Sequence, residues 1–140
     1  MTADEIQSAQ DAIDSLSANY VNWTRDQVKE LYRLHDQFQE ADEQSLHSLQ
    51  LTIYDMAHNI KGMGSSFNYP LMTDIGASLC LYLKKLGKDA TAQSPVIEAH
   101  IKSLDTVINQ EITGDGGEAG AELRARLSSL VEKSLLAQNA

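Results

Sequence analysis

One short stretch of the chain, from His58 to Gly62, carries residue types whose spacing suits phosphoryl transfer. A solvent-facing imidazole is largely neutral near neutral pH, and one of its ring nitrogens is then nucleophilic. Lys61 comes three residues later, so on a helix its ammonium group would attract a phosphoryl group and offset its negative charge. At Gly62, one turn after His58, the missing side chain would let a phosphoryl donor approach closely.

The residues around His58 predict a long helix whose apolar side faces away from the imidazole. Its inward stripe is expected to consist of Leu46, Leu49, Ile53, Met56, Ile60, Met63 and Phe67. At ~100° per residue, His58 lies ~200° from Met56 and ~160° from Ile60. Lys61 and Ser65 share the side of His58. We therefore expect all three polar side chains to face outward.

Tyr54 and Leu51 fall on this outward side too, about one and two turns before His58. Two sizeable apolar residues away from the core indicate a docking surface for a partner protein. Alternatively, the first or the last predicted helix packs over them. The sequence leaves both interpretations open.

The spacing of apolar residues predicts an all-α chain of six helices without a strand. They are expected over about Ala3–Tyr20, from Thr24 through Phe38, from between Asp42 and Ser45 to about Ser66, over about Pro70–Leu86, from Ser94–Pro95 to about Ile112 and over about Ala119–Leu136. Short connections predict that the second to fifth helices form an antiparallel, up-and-down four-helix bundle, with the first and last helices as additions. Residues 1–140 would then be one domain with a bundle core at about 24–112.

Capping residues and helix breakers set the predicted boundaries. Thr2 and Thr24 each match the start of a capping box. The segment Asn68–Pro70 is expected to end the third helix, because proline disfavours helical geometry in the residue before it. Gly87 is a natural C-terminal cap and Ser94 a natural N-cap. The capped start at Thr2 favours a stand-alone protein.

The periodicity also assigns candidate core residues in the other helices. The first helix carries an apolar face made of Ile6, Ala9, Ile13, Leu16 and Tyr20, and the last helix carries one made of Leu123, Leu127, Leu130, Val131 and Leu135. His35 lies on an inner face, so we expect a hydrogen-bonded core histidine there, whereas His47 is expected to be solvated. Cys80, the single cysteine, cannot form an internal disulfide and is expected to be a small buried hydrophobe.

Composition and motifs narrow the classes of function. With a formal net charge of −9, the chain repels nucleic-acid phosphate and anionic lipid, so neither is an expected partner. No apolar run reaches the ~18 residues of a membrane span, and the N-terminus does not match a signal peptide, which favours the cytoplasm. No glycine-rich phosphate loop, acid–base carboxylate pair or metal-ligand cluster is evident, so we expect no cofactor and no metal.

The six residues Ala57-His58-Asn59-Ile60-Lys61-Gly62 resemble the A-H-x-L-K-G signature of histidine-containing phosphotransfer (HPt) domains. The resemblance extends over about Asp55–Leu86. In that family the motif lies on a long helix of a four-helix bundle, and the histidine exchanges phosphate with aspartates of receiver domains. Ile60 replaces the usual leucine. Asn68 stands where members commonly have glycine, and asparagine also adopts left-handed conformations.

The resemblance implies a phosphorelay protein of a two-component system. His58 would accept phosphate from a receiver aspartate of a hybrid kinase or response regulator and pass it to another receiver. Lys61 would assist electrostatically, Gly62 would give access, and Mg²⁺ would come from the receiver. The chain departs from the family at Cys80, which stands about where many relatives place Glu or Gln near the phosphorylated histidine. A thiol is a poor hydrogen-bond partner for an imidazole.

Other classes of protein remain alternatives. The outward face could belong to a non-phosphorylated interaction module that binds a kinase or receiver and merely inhibits it. A metal or haem bundle needs inward-facing His or Glu pairs, whereas the inner stripes here are nearly all aliphatic. A sensor kinase is disfavoured because Asn59, and not an acidic residue, follows His58. No chain is left for an ATP-binding domain, so we expect no kinase activity.

Overall fold

The computed structural model describes residues 1–139, and every regular element within them is helical. The elements are α1 (Ala3–Glu40), α2 (Glu43–Gly64), a short 3-10 helix (Ser65–Phe67), α3 (Pro70–Leu86), α4 (Ser94–Asn109) and α5 (Gly117–Asn139). The predicted all-α class is therefore confirmed. The predicted number of helices is wrong by one, because five α-helices make up the described part of the chain.

The first two predicted helices are a single helix, α1, of 38 residues. Its start is the predicted one, since the Thr2 hydroxyl accepts from the Glu5 amide and the Glu5 carboxylate accepts from the Thr2 amide. Thr24 does not start a helix. Its buried hydroxyl donates to the carbonyl oxygen of Tyr20 at 2.8 Å, a bond that a threonine can make inside a helix. No proline or glycine interrupts the chain between these residues, so nothing breaks the helix.

The N-terminal part of α1 extends beyond the bundle. Of the apolar face predicted for the first helix only Tyr20 is buried, whereas Ala9 is exposed and Ile6, Ile13 and Leu16 are 55%, 55% and 58% exposed. Most of this face is therefore left uncovered within the described chain. Amphipathic spacing identifies an apolar face, but it does not show which surface covers that face.

The remaining helices enclose one apolar core. α1 packs against α2 and α4, while α3 packs against α2, α4 and α5. The largest fully buried apolar side chains come from α1, α2, α3 and α4. They are Leu31, Ile53, Ile60, Met72, Ile75, Leu79, Tyr82, Ile97, Ile101, Leu104 and Ile108. Met63, predicted to belong to the inner stripe, is instead exposed, and so is Leu130 on the apolar face of the last helix.

α4 begins one residue earlier than predicted. Ser94 is not the N-cap, since Gln93 occupies that position, although its side chain makes no capping hydrogen bond to the helix. The Ser94 hydroxyl instead bonds the Nε2 atom of His35 at 2.7 Å and accepts from the side chain of Gln39 at 3.0 Å. His35 is buried and hydrogen-bonded, as predicted. These bonds join the start of α4 to the C-terminal part of α1.

A hydrogen-bonded triad joins α5 to the rest of the bundle. The Tyr82 hydroxyl accepts from the Gln93 amide at 2.8 Å and lies 2.7 Å from the Ser134 hydroxyl. Ser134 donates in turn to the Gln93 side-chain oxygen at 2.7 Å. Because Ser134 lies on α5, the last helix is held by polar contacts as well as by Leu127 and Val131, which are buried. None of the described helices has the length and apolar character needed to cross a bilayer.

Candidate functional site

His58 lies on the outward side of α2 with its side chain exposed. Within the described residues its ring makes no hydrogen bond to another side chain or to the backbone. Its nearest aromatic neighbour is Tyr54, one turn earlier, with ring centroids 6.2 Å apart and planes inclined by 30°. The imidazole is therefore accessible, and no protein group fixes its ring orientation or its tautomer.

Lys61 and Gly62 are also exposed, on the turn that follows His58. A Cβ atom added at Gly62 would meet no neighbouring atom within 4 Å. The glycine is thus not needed for packing inside this chain, although in a helix interior it costs ~1 kcal/mol relative to alanine. The space it leaves open adjoins the imidazole and the ammonium group.

α3 supports the histidine segment from behind. A Cβ atom at Gly76 would lie 3.0 Å from the carbonyl oxygen of Ala57 and 3.0 Å from the amide nitrogen of Lys61. Such contacts are tighter than almost all real Cβ contacts, so glycine lets the two backbones approach closely without strain. Ala57 and Ile60, the inward residues on either side of His58, are fully buried. The backbone that carries His58 is thus held against α3.

Thr73 connects the end of α2 to α3. Its hydroxyl donates to the carbonyl oxygen of Lys61 at 2.9 Å and accepts from the Ser65 amide at 3.0 Å and the Ser65 hydroxyl at 3.2 Å. Ser65 faces outward as predicted, but its hydroxyl is engaged in this junction. Asn68 adopts the left-handed conformation, φ 65°, that the turn before α3 requires.

Cys80 is buried, and its thiol donates weakly to the carbonyl oxygen of Tyr54 at 3.8 Å. Burial raises the pKa of the Cys80 thiol, while nearby Lys61 acts in the opposite direction. The prediction of a small buried hydrophobe is confirmed. Within the described residues no hydrogen bond joins Cys80 to His58, so this position does not orient the imidazole.

A shallow groove of about 270 Å³ runs between α2 and α3 and continues the outward face on which His58 lies. Leu51 and Tyr54 line it from α2, and Leu83 lines it from α3. Leu51 is 53% exposed and Tyr54 half-buried, so neither α5 nor the N-terminal part of α1 covers them. Lys84 and Lys88 lie on the α3 side of the groove. The groove is apolar inside and cationic at its rim.

The other histidines are engaged or distant. His100 is fully buried, where its Nδ1 donates to the Val96 carbonyl at 2.7 Å and its Nε2 lies 2.8 Å from the Ser78 hydroxyl. Burial lowers the pKa of His100. His47 is half-buried at the far end of the groove, and not fully solvated as predicted. No cluster of three or more metal-ligating side chains occurs among the residues described.

The structure adds residues that the sequence did not single out for the site. Gly76 and Thr73 fix the backbone of the histidine segment, and Lys84 and Lys88 supply cations to the groove. Lys84 lies in the last turn of α3, whereas Lys88 lies in the turn that follows it, so helical spacing alone does not bring the two cations together. No sequence signal showed that they adjoin Leu51 and Tyr54, because that depends on how α3 is rotated against α2.

Comparisons of the chain with protein-family models, with curated proteins and with solved structures give no significant match.

Proposed function

We propose that the chain is a histidine phosphotransfer protein of a phosphorelay, in which His58 accepts a phosphoryl group from an aspartate of one receiver domain and passes it to an aspartate of another. The observation that carries the proposal is the exposed imidazole of His58 beside exposed Lys61 and the open space at Gly62. The two buried, hydrogen-bonded histidines, His35 and His100, offer no comparable nucleophile.

The transfer requires few groups from this chain. The lone pair of Nε2 on the His58 ring attacks the phosphorus of the aspartyl phosphate, a nitrogen–phosphorus bond forms, and the aspartate carboxylate leaves. The proton on Nδ1 stays on the ring. The reverse reaction on a second receiver restores the neutral imidazole. Lys61 offsets the charge of the phosphoryl group, and the receiver contributes Mg²⁺ and the acidic pocket that position it.

The charge and shape of the outward face support a receiver domain as the partner. The chain is strongly acidic overall, yet Lys84 and Lys88 line the groove between α2 and α3, and Lys61 lies against Gly76 of α3 farther along α2. Cations there complement the acidic pocket of a receiver and favour encounter. The groove beside Leu51 and Tyr54 can take an apolar side chain of the partner. Such an interface places the phosphoaspartate near His58.

The arrangement of the helices supports the same interpretation. α1 neighbours α2 and α4, and α3 neighbours α2 and α4, which is the neighbour pattern of an antiparallel four-helix bundle with α5 added against α3 and α4. A rigid bundle presents the histidine on a helix instead of a loop. We propose that this bundle, built from the C-terminal part of α1 with α2, α3 and α4, is an HPt fold working in the cytoplasm.

The proposal is tested by incubating the protein with receivers phosphorylated on aspartate and mapping acid-labile, alkali-stable phosphate. We expect the phosphate on His58 and none on the His58→Gln variant, which should fold normally because the side chain is exposed. His47→Gln makes the same change on the same helix three turns away, at the far end of the groove, and should still be phosphorylated on His58 even where the loss of His47 weakens docking. Full acceptance by His58→Gln would end the hypothesis.

An interaction module without phosphorylation is the alternative that the groove itself favours. It predicts receiver or kinase binding that is unchanged in His58→Ala, with no phosphate on either protein. Titration calorimetry with the same receivers, in both unphosphorylated and phosphorylated states, separates the two functions.

A further inference from the structure

The first part of α1, residues 3–19, is a helix that leaves the bundle with one apolar face uncovered, and we call it the arm. Its face consists of Ile6, Ala9, Ile13 and Leu16, all exposed. The arm is nevertheless a well-supported helix, because the Thr2–Glu5 capping box fixes its start. Its Gln7 and Gln10 side chains also donate to Asp11 and Asp14 one turn on. The apolar face is thus already helical and exposed, and a partner could bind it without first folding the arm.

The spacing along this face is that of a coiled coil. The four residues are three, four and three positions apart, so they occupy alternating a and d positions of a heptad, with β-branched isoleucine at both a positions. The flanking e and g positions are almost free of charge, and they are Glu5, Gln10, Ala12, Ser17 and Asn19. The remaining acids, Asp4, Asp11 and Asp14, lie at outer positions. Two copies can therefore pair along this apolar face, which we call the seam, without bringing like charges together.

The charge of the arm excludes two other classes of partner. Up to Arg25 the chain contains no lysine or arginine. Helices that lie on anionic membranes carry basic residues on their polar face, and nucleic acids attract basic surfaces. An acidic outer face with an apolar seam and neutral flanks instead fits a second helix of the same kind.

The position of the seam relative to the bundle selects the orientation of the pair. Ile13 and Leu31 are eighteen residues apart, which is about five whole turns at ~3.6 residues per turn, so they lie on the same side of α1. Leu31 is fully buried against the other helices. In a parallel pair the bundle of the second copy would occupy the space of the first. An antiparallel pair avoids this collision, because the two bundles then lie at opposite ends of the paired arms.

We propose that the chain forms a homodimer in which the arms of two copies pair antiparallel along this seam. Centring the pair near Asp11 sets Ile6 against Leu16 of the second copy and Ala9 against Ile13, so that the small residue faces a large one. The paired arms are about 25 Å long and hold the two acidic bundles apart by about this distance. Charge repulsion between the bundles is screened over ~8 Å at physiological salt, so it does not oppose pairing. The proposal does not depend on the chemistry of His58.

Analytical ultracentrifugation of the full chain over a range of micromolar concentrations tests the association. We expect a dimer that Ile13→Asp converts to a monomer at every concentration. Ala18→Asp is the matched control, because it adds the same charge at an outer position of the arm and should leave the dimer intact. A wild-type chain that is monomeric throughout, or a dimer that survives Ile13→Asp, would overturn the proposal and leave the arm to another partner.

Disulfide trapping tests the orientation. In a Cys80→Ala background, an equal mixture of Ile6→Cys and Leu16→Cys chains should cross-link under oxidation, because the two positions face each other in the antiparallel pair. Each variant alone should not, since identical positions would be about 15 Å apart along the axis, far beyond the ~7 Å between α-carbons that a disulfide allows. Efficient cross-linking of Ile6→Cys to itself would indicate a parallel pair and reject this arrangement.

Discussion

A Cβ atom on Gly76 would lie 3.0 Å from the carbonyl oxygen of Ala57, the residue that precedes the exposed histidine of α2. α3 thus supports His58 through backbone contact and not through a side-chain hydrogen bond. The nearby thiol of Cys80 donates to the Tyr54 carbonyl instead. The position of the imidazole depends on the fit of two helix backbones, whereas the rotation of its ring is left free.

We expect Gly76→Ala to destabilise the protein. The added methyl group would press on backbone atoms of Ala57 and Lys61. These atoms are fixed within α2 and cannot shift without moving the helix. Overpacking of this kind costs ~1–3 kcal/mol, whereas alanine brings a gain of ~1 kcal/mol to a helix, so we expect a net loss of up to ~2 kcal/mol. Urea unfolding followed by circular dichroism measures the difference. A variant more stable than wild type would show that α2 and α3 can separate at little cost.

Gly62 offers the matched comparison on α2. The same substitution there should change the free energy of unfolding in the opposite direction. Gly62→Ala should stabilise the protein by about 1 kcal/mol, because the Cβ atom meets no neighbour and removes a helix-interior glycine. Gly62→Leu should fold as well as wild type yet accept phosphate more slowly, since its side chain obstructs the approach to His58. Normal transfer in a folded Gly62→Leu variant would remove Gly62 from the site.

Lys61→Ala should slow phosphate acceptance without abolishing it. The Lys61 ammonium group is exposed, so its interaction with a phosphoryl group is screened by solvent and salt, and the receiver supplies most of the charge stabilisation. The defect should be larger at low salt than at moderate salt. Single-turnover transfer rates at the two salt concentrations measure this, with Lys61→Arg as the charge-preserving control. Equal rates for wild type and Lys61→Ala would exclude a direct role.

His100 should make the stability of the bundle depend on pH. Burial lowers the pKa of His100 below the ordinary histidine value of about 6.5, so the unfolded chain binds the proton more readily than the folded one. The free energy of unfolding is therefore highest above about pH 6.5. It falls as the pH drops below this value toward the lower pKa that His100 has in the folded protein. Urea midpoints between about pH 7.5 and about pH 5.5 should show this loss.

His100→Gln should weaken that pH dependence while lowering stability at every pH, because it removes the titrating ring and disturbs its bonds to Val96 and Ser78. If the free energy of unfolding of the His100 variant changed with pH as steeply as that of wild type, other groups would be responsible for the pH dependence.

Much of the helical layout could be predicted from local chemistry. The capping box at Thr2, the Asp42 side chain that accepts from the Ser45 amide, and the turn at Asn68 all lie where residue type alone indicates them. Thr24 shows the limit of that approach. A capping motif without a preceding break is compatible with an uninterrupted helix, and only the buried bond to Tyr20 decides between the two.

The candidate site was predicted in part. Helical periodicity placed His58, Lys61 and Gly62 on the exposed side of α2, and the structure places them there. The contacts that hold this segment could not be inferred, because the close approach of Gly76 and the hydroxyl bonds of Thr73 depend on how deeply α3 packs against α2. Periodicity defines a face of a helix, but it does not specify the neighbour that the face meets.

The uninterrupted course of α1 joins two regions of very different local stability in one helix. From Tyr20 onward, opening the helix means exposing Tyr20, Val28 and Leu31 to water, so amide protons there are released only with cooperative unfolding. Before Tyr20, the backbone of a dissociated copy is held by local bonds alone and frays turn by turn from Thr2. Amide hydrogen exchange along α1 of a dissociated copy should therefore change abruptly near Tyr20, at the aromatic stack where its ring lies 4.6 Å from that of Phe67.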